Sequence, residues 1–321
     1  MKQSGQKKQA KQERVKPRRR WTRDDTELSL LALPTTVWYI LFSFLPMFGV
    51  ILAFKDFRLN GGFLKSIFTS QWCGLKNFQF LFSTGDIWLI LRNTLGYNLI
   101  FIVLGIILPL GSALMVSQIH NKRMAKVYQT AMFLPYFLSW IVASAIVWAF
   151  LSYDKGLVNH LLLQLGMQPH QWYMEKQFWP AFLVFMHVWK TLGYSMVVYL
   201  ATITGIDRTY YEAAVIDGAS VWQQMKSITL PIMKPVIIMM FILSVGRIFY
   251  SDFGLFFNVP RDSNSLYNIV YTIDVFVYKQ LKTSTPGMAS AAAFIQSVAG
   301  CLTILGANAV VKKFDPDSAI I

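Results

Sequence analysis

The residues best placed to do chemistry in this chain are three charges that interrupt long apolar runs: Lys190, Arg247 and Asp252. A charged side chain at the centre of a bilayer costs about 2.5–3.5 kcal/mol on the insertion scale, so such residues face a helix bundle or a wet cavity. Two roles fit them. They line a polar path whose cations bind an anionic solute, or they are fixed in a Lys190–Asp252 or Arg247–Asp252 clamp or in a contact at a gate.

Enzyme chemistry has no comparable signal in the sequence. The four histidines are scattered, without the H-x-x-x-H or H-E-x-x-H spacing of a zinc site, and no G-x-x-x-x-G-K-[ST] phosphate loop is present. No Ser/His/Asp arrangement or facing pair of carboxylates suggests covalent or acid–base chemistry. We therefore expect a chain that is not an enzyme and that binds no metal or cofactor of its own.

The elements that must position these charges are membrane helices. Apolar residues make up 55% of the chain and charged residues only 14%, well below the quarter or so typical of a soluble domain. Six apolar runs reach the length of about 20 residues that a spanning helix needs. They predict an all-α, polytopic membrane protein with helices at about 32–54, 93–118, 127–151, 179–205, 235–258 and 286–311.

The distribution of Lys and Arg predicts the orientation, because cytoplasmic segments carry the excess of cations. With the N-terminus inside, inner segments hold eighteen Lys and Arg and outer segments nine. Both termini are therefore predicted to be cytoplasmic, in a bacterial plasma membrane. Residues 1–29 form a basic tail without the pattern of a folded segment, and residues 30–321 form the membrane domain. Beside a spanning helix, this tail is better explained by anionic lipid headgroups than by nucleic acid.

A polar loop between the fourth and fifth predicted helices, residues 206–235, is the second functional clue. Thr209–Glu212 is spaced as a capping box, which predicts a helix that begins there and ends at Gly218 in a left-handed conformation. Ser220–Gln223 is a second capping box, whose helix is predicted to end before Pro231. Two short helices joined at a glycine form either a docking element for a partner protein or an amphipathic loop lying on the membrane.

The loop resembles a known family motif. Glu212-Ala213-Ala214, followed by Gly218 and then by Ile228-x-Leu230-Pro231, is similar to the EAA motif of permease subunits in binding-protein-dependent ABC importers. In that family the helix of this loop docks in a cleft of a cytoplasmic ATPase. For the EAA loop (206–235), the resemblance implies that ATPase coupling rests on Glu212, Ala213, Ala214, Asp217, Gly218, Ile228, Leu230 and Pro231. One departure is that Ile206-Asp207-Arg208 lacks the proline often found before the first helix.

Further segments extend the resemblance over most of the chain. The runs 45–49, 53–57 and 74–78 look like the sugar-importing branch of the family. Arg92-Asn93-Thr94, the run 133–140 and the run 274–278 are similar to the subgroup that takes up oligosaccharides from polysaccharide breakdown.

The resemblance implies a type I ABC importer permease fold and a set of partners. These are a second permease, two ATPase subunits that bind ATP and Mg, an extracytoplasmic sugar-binding protein, the oligosaccharide and membrane lipid, with no nucleic acid. The path or gate is expected to include Lys190, Tyr194, Arg247, Tyr250 and Asp252, and its cations favour acidic sugars. Two alternatives stay open here: an ion-coupled secondary transporter that uses Asp252, and a membrane receptor or scaffold that transports nothing.

Overall fold

A computed structural model describes residues 22–58, 61–83, 85–283 and 286–316. Most of the predicted basic tail, residues 1–21, lies outside this described part. Contacts within the chain define two compact units, Met1–Gly49 and Val50–Ile321.

Helices long and apolar enough to cross a membrane account for six passes within the described residues. Five passes are single helical stretches, and the remaining one, third along the chain, is a bent pair. Their bounds are Arg23–Phe54, Ile87–Ser117, Lys122–Phe137 with Trp140–Leu151, Phe178–Thr204, Val221–Gly246 and Pro286–Phe314. The predicted all-α, polytopic class is confirmed.

The secondary structure is helical almost throughout. The α-helices are α1 Arg23–Tyr39, α2 Leu45–Met47, α3 Phe63–Thr69, α4 Lys76–Ser83, α5 Ile87–Ser117, α6 Lys122–Phe133, α7 Trp140–Leu151, α8 Leu157–Gln164, α9 Phe178–Thr204, α10 Arg208–Ile216, α11 Val221–Gln224, α12 Leu230–Gly246, α13 Tyr267–Val270, α14 Ile273–Lys282 and α15 Pro286–Phe314. Turns of 3-10 helix lie at Phe48–Phe54, Leu134–Phe137, Trp172–Met174 and Asn264–Leu266, and π-helical turns at Ile40–Phe44, Met225–Thr229 and Gly254–Asn258. Two short strands, β1 Lys55–Asp56 and β2 Gln71–Trp72, pair antiparallel with Lys55 opposite Trp72.

The first helix begins earlier than predicted, at Arg23 instead of near residue 32. The side chain of Thr22 accepts the backbone N–H of Asp25, and the Asp25 carboxylate accepts the backbone N–H of Thr22, which completes a capping box. Two carboxylates in the first turn, Asp24 and Asp25, also favour this end of a helix. Hydropathy alone misses these polar turns because they add nothing to an apolar run.

The third predicted helix, 127–151, is two helices that meet at 99°. Pro135 lies in the turn Leu134–Phe137 and has no N–H to continue the helical ladder. The hydroxyl of Ser139 then accepts the backbone N–H of Val142, so α7 begins as a new helix with its own cap.

The fifth predicted helix, 235–258, is wrong at its outer end. Helix α12 ends at Gly246, and irregular backbone follows before the π turn Gly254–Asn258. At this end α12 and α15 lie very close: a Cβ added to Gly300 would lie 3.0 Å from the carbonyl oxygen of Gly246. The polar groups of the segment that follows find hydrogen-bond partners on neighbouring helices. Few of them are therefore left unpaired where the helix ends.

Two buried clusters form the core of the larger unit. The larger one joins the first halves of α5 and α9 to α7 and the segment 255–277, and includes Ile90, Ala143, Trp179, Leu183, Leu255, Phe256 and Leu266. The smaller one joins the second halves of α5 and α9 to α12, and includes Ala113, Met196, Tyr199 and Met233. Helices α5 and α9 are therefore the central pair to which both broken passes attach.

Helix α9 meets α6 at a glycine. A Cβ added to Gly193 would lie 2.1 Å from the carbonyl oxygen of Met132 and 2.6 Å from the Cα of Phe133, which is closer than atoms can approach. Only a residue without a side chain lets these two helices pack at this distance.

We expect Gly193→Ala to lower the stability of the protein by about 1–3 kcal/mol, the usual cost of overpacking. The measurement is thermal unfolding of the purified protein in detergent. Gly105→Ala is the matched control, since its Cβ would meet nothing within 4 Å in another membrane helix, α5. Equal melting temperatures for the two variants would contradict the close approach of α6 and α9.

Candidate functional site

The break in the third pass, residues 134–139, is capped by a lysine. The ammonium of Lys190, near the middle of α9, donates to the carbonyl oxygens of Tyr136, at 3.0 Å, and Leu138. It also lies 5.4 Å from the ring centroid of Trp140. Lys190 thus supplies the hydrogen bonds that these carbonyls lose where the helix stops.

The irregular segment that follows the fifth pass, residues 247–253 (the fifth-pass break), is capped by an asparagine. The side-chain amide of Asn98, on α5, donates to the carbonyl oxygens of Ile248 at 2.8 Å and Tyr250 at 2.7 Å. Backbone that leaves a helix at membrane depth is tolerated only where protein groups or water satisfy it. Asn98 meets that requirement for two of the freed carbonyls.

Asp274 satisfies the donors on the other side of the same break. Its carboxylate accepts the backbone N–H of Ser251 at 2.6 Å and the Ser251 hydroxyl at 2.8 Å. The amide of Gln296, which is buried in α15, donates to the same carboxylate at 3.3 Å. Farther along, the hydroxyl of Ser144 donates to the carbonyl oxygen of Asn258 at 2.7 Å. Side chains from α7, α14 and α15 therefore anchor the segment.

Trp140 and Asp252 join the two breaks to each other. The indole N–H of Trp140 donates to Asp252 Oδ2 at 2.7 Å, and Asp252 Oδ1 accepts the backbone N–H of Leu255. The tryptophan ring packs against Gly254, where an added Cβ would lie 2.1 Å from Trp140 Cδ1. Because Lys190 lies over the same ring, Lys190, Trp140 and Asp252 form one group, the break cluster.

The structure gives the five predicted path residues different surroundings. Lys190 and Asp252 belong to the break cluster, and Tyr194 stacks on Tyr136 with ring centroids 4.9 Å apart. The hydroxyl of Tyr250 lies 3.1 Å from that of Ser297 on α15. Arg247 is exposed at the end of α12, and its guanidinium makes no ion pair within the described residues.

The proposed clamp takes a different form. Among the described residues, neither Lys190 nor Arg247 makes an ion pair with Asp252, whose carboxylate accepts the indole N–H of Trp140 and the backbone N–H of Leu255. Both donors are fixed by packing, so the carboxylate is held without the cost of ordering a long cationic side chain.

The first helix of the EAA loop, α10, begins two residues earlier than its sequence suggests. Asp207, not Thr209, caps α10: its Oδ1 accepts the backbone N–H of Thr209 at 3.0 Å. That hydrogen bond holds the pKa of the Asp207 carboxyl below its usual range. A lowered pKa means that the cap stabilises the helix above the unfolded-state pKa and is lost as the pH falls through the folded value. The predicted box at Thr209–Glu212 failed because an aspartate two residues earlier competes for the same role.

Gly218 ends α10 as predicted. Its φ is +78°, and the N–H of Ala219 donates to the carbonyl oxygen of Ala214 at 2.8 Å, with Gly218 N–H donating to Val215 at 3.1 Å. This is the Schellman arrangement, for which a left-handed glycine is preferred. The second capping box is also present, since Ser220 and Gln223 each accept the backbone N–H of the other.

The second helix of the loop does not end before Pro231. It continues from α11 through the π turn Met225–Thr229 into α12, so Val221–Gly246 is one helical stretch. A proline clashes with the carbonyl four residues earlier, and a wider π turn directly before it accommodates that clash. The EAA loop is therefore continuous with the fifth pass.

The EAA loop exposes apolar side chains. Ile216 is 87% exposed and Trp222 71%, and Tyr210, Val215 and Val221 are also exposed. Of the motif residues, Glu212, Ala213, Asp217, Gly218 and Pro231 are exposed, whereas Ala214, Ile228 and Leu230 are half-buried. The Glu212 carboxylate has no hydrogen bond or ion pair within the described part of the chain.

Several residues of these two regions were missed in the sequence. All are polar residues within apolar runs, and that position is the only sign in the sequence that they have a partner: Asn98, Ser144, Gln296 and Thr229. A hydropathy average over a whole run does not reveal single polar residues within it. No group of three or more His, Cys, Asp or Glu is arranged to hold a metal ion among the described residues.

Comparisons with known proteins agree with this geometry. Residues 102–255 match the family described as binding-protein-dependent transport system inner membrane component. Protein LplB of Bacillus subtilis is 32% identical over 295 residues, which cover 91% of each chain. The polygalacturonan/rhamnogalacturonan transport system permease protein YteP of the same organism is 30% identical, over 89% of this chain and 88% of its own.

A solved structure covers the same extent. A chain in the crystal structure of a bacterial ABC transporter involved in the import of the acidic polysaccharide alginate superposes with a TM-score of 0.80. It is 27% identical, and the match covers 91% of this chain and 97% of that one. A second crystal structure, of an alginate transporter in complex with an alginate pentasaccharide-bound periplasmic protein, gives a TM-score of 0.79.

The described residues form six helical passes, one of them a bent pair, and a helical loop that continues into the fifth pass, which together define a membrane transport subunit. The chain belongs to the family of inner-membrane permeases of binding-protein-dependent ABC transport systems. It is a multi-pass protein of the plasma membrane and has a transport role, not a catalytic one. This membership decides against the ion-coupled transporter and the non-transporting scaffold.

The break cluster predicts a specific pattern of coupling between mutations. Trp140→Phe and Asp252→Ala each remove one side of a hydrogen bond to a charged group, worth about 1.5–3 kcal/mol. We expect the double variant to be no less stable than the worse single variant. Arg247→Ala combined with Asp252→Ala should instead be additive, because no hydrogen bond or ion pair joins the two side chains.

Thermal unfolding of the purified variants measures both cycles. Additive losses for Trp140 and Asp252, or coupling between Arg247 and Asp252, would contradict the geometry of the cluster.

Proposed function

We propose that this permease imports acidic oligosaccharides released from polysaccharides. The observation that carries the proposal is Arg247, an exposed guanidinium at the fifth-pass break with no acidic partner among the described residues. A lipid-facing arginine near the midplane would cost about 2.5–3.5 kcal/mol, so its exposed surface faces water, solute or a partner subunit. One relative is named for polygalacturonan and rhamnogalacturonan, and the solved neighbours for alginate.

Aromatic rings near Lys190 support a sugar as the solute. Tyr136 stacks on Phe133 and on Tyr194, with interplanar angles of 8° and 15°. Both tyrosines are more than 40% exposed, so each still presents part of its side chain to a ligand. Sugar rings pack on aromatic faces, and the adjacent ammonium of Lys190 suits a carboxylate. Lys190, Tyr194, Arg247, Tyr250 and Asp252 remain the proposed path.

The EAA loop is the proposed docking site for a cytoplasmic ATPase. Exposed apolar side chains on α10 and α11 suit burial in a partner's cleft. Ala213 keeps the helix slim on its exposed side, and the Glu212 carboxylate is available to a partner cation. Glu212, Ala213, Ala214, Asp217, Gly218, Ile228, Leu230 and Pro231 together form this coupling element.

The complex around the chain follows from the same proposal. It contains a second permease, two ATPase subunits that bind ATP and Mg, and an extracytoplasmic sugar-binding protein that docks on the outer segments 55–90, 152–178 and 259–285. Both termini then lie in the cytoplasm. Residues 1–29 act as a basic tail at anionic headgroups, and residues 30–321 are the permease domain.

The substrate proposal is tested with Arg247→Ala in a reconstituted complex. We expect uptake of an acidic oligosaccharide to fall about tenfold, the factor that 1.4 kcal/mol corresponds to. Uptake of a neutral oligosaccharide of the same length should fall less, because it has no carboxylate to meet the guanidinium. The companion measurement is calorimetry of the extracytoplasmic binding protein of the same complex against acidic and neutral glycans.

Arg247→Lys is the matched control, since it retains the charge. Equal losses for the acidic and neutral glycans, or a binding protein that prefers neutral ones, would contradict an acidic substrate.

The coupling proposal is tested at Gly218. A Cβ there would meet nothing within 4 Å, so any effect of Gly218→Val comes from the left-handed backbone alone, at about 1–2 kcal/mol. We expect this variant to insert and assemble while substrate-stimulated ATP hydrolysis falls. Gly218→Asn is the control, because asparagine tolerates positive φ. Normal stimulation in the valine variant would argue against the EAA loop as the coupling element.

A further inference from the structure

One side-chain hydrogen bond links the first helix of the EAA loop to the fifth pass. The hydroxyl of Tyr211, on α10, lies 2.9 Å from the hydroxyl of Thr229. Thr229 is only 2% exposed, and Tyr211 is half-buried, whereas the neighbouring Tyr210 is exposed. The two adjacent tyrosines thus have opposite orientations, one outward and one toward the base of α12.

Helix α10 has few other attachments. It contains no buried residue, and the chain before it is held by Ile206, which is buried. Behind it, the Schellman turn at Gly218 leads into α11. Within the described part of the chain, the Tyr211–Thr229 contact is the only side-chain hydrogen bond from α10 to the helical stretch Val221–Gly246.

The position of Thr229 gives this contact its significance. Thr229 is the last residue of the π turn Met225–Thr229, directly before Leu230 and Pro231. A π turn beside a proline lacks the regular ladder of hydrogen bonds that stiffens an α-helix, so it is a natural point of bending. Tyr211 attaches α10 on the far side of this turn, at the start of the membrane helix.

We propose that Tyr211 and Thr229 are a positioning pair that carries movement of α10 past the π turn into α12. With the hydrogen bond, displacement of α10 by a docked ATPase moves the start of α12. Without it, the same displacement is absorbed by bending at Met225–Thr229. The pair touches neither nucleotide nor sugar, and this role rests on the proposed docking of the ATPase at the EAA loop.

The test compares hydroxyl deletions that keep the shape of each side chain. Tyr211→Phe and Thr229→Val each remove one hydroxyl, and Thr229→Ser keeps it. The reconstituted complex is assayed for sugar imported per ATP hydrolysed and for the amount of ATPase that co-purifies. We expect either deletion to lower import per ATP by about five- to tenfold, the factor that one hydrogen bond of about 1–1.4 kcal/mol supplies.

The pattern across variants identifies the pair. The double deletion should be no worse than either single one, Thr229→Ser should restore normal import per ATP, and ATPase capture should be unchanged throughout. Tyr128→Phe and Thr202→Val are matched controls. The Tyr128 hydroxyl has no hydrogen bond within the described residues, and that of Thr202 bonds only to Val198 in its own helix.

Two failures are distinguishable. Normal import per ATP in Tyr211→Phe with the ATPase captured normally would overturn the positioning pair, as would additive losses in the double variant. If Ala213→Cys does not crosslink to the ATPase in an active complex, the proposal that the ATPase docks at the EAA loop is itself wrong. Tyr211 and Thr229 are unchanged in this variant, so the crosslinking result does not depend on the positioning pair.

Discussion

The structure depends on one constraint, which is that backbone released from a helix at membrane depth must find its hydrogen bonds within the protein. Within the described residues, helical backbone stops at 134–139 and again at 247–253, and at both places carbonyl groups lose their helical partners. The replacements come from long or forked polar side chains on the unbroken helices α5 and α9. Lys190 serves the first break and Asn98 the second. These two helices therefore supply the hydrogen bonds that allow irregular backbone in the neighbouring passes.

This constraint gives the charged residues of the apolar runs a structural role. Lys190 and Asp252 look like a counter-ion pair in sequence, yet each satisfies other groups, and Trp140 lies between them. An ammonium has three donors, and two of those on Lys190 are used by carbonyl oxygens. One donor is left for a solute, so a structural cap and a path residue are compatible roles. Arg247 has no such structural duty among the described residues.

The sequence predicted the number of passes, because six apolar runs are long and separate. It also predicted Gly218 and the Ser220 cap, since both follow from local backbone geometry. The bend at Pro135 and the end of α12 at Gly246 were missed, because hydropathy cannot distinguish a broken apolar run from a straight one. The polar caps Asn98 and Gln296 act on partners about 150 and 22 residues away, and no local pattern reveals such pairs. Asp207 could not be predicted for a different reason: Asp207 and Thr209 are both capping residue types two positions apart, and the local sequence does not decide between them.

The continuity of the EAA loop with α12 connects the two functional regions. From Val221 to Gly246 the backbone is one helical stretch, which ends at the fifth-pass break beside Arg247. Motion applied at its first turns therefore reaches the break unless the π turn Met225–Thr229 absorbs it. At the break, Asp252 holds Trp140, and Trp140 lies against Lys190, the cap of the other broken pass. A shift of α12 along its axis would thus disturb both breaks together, because the break cluster joins them through a single indole ring.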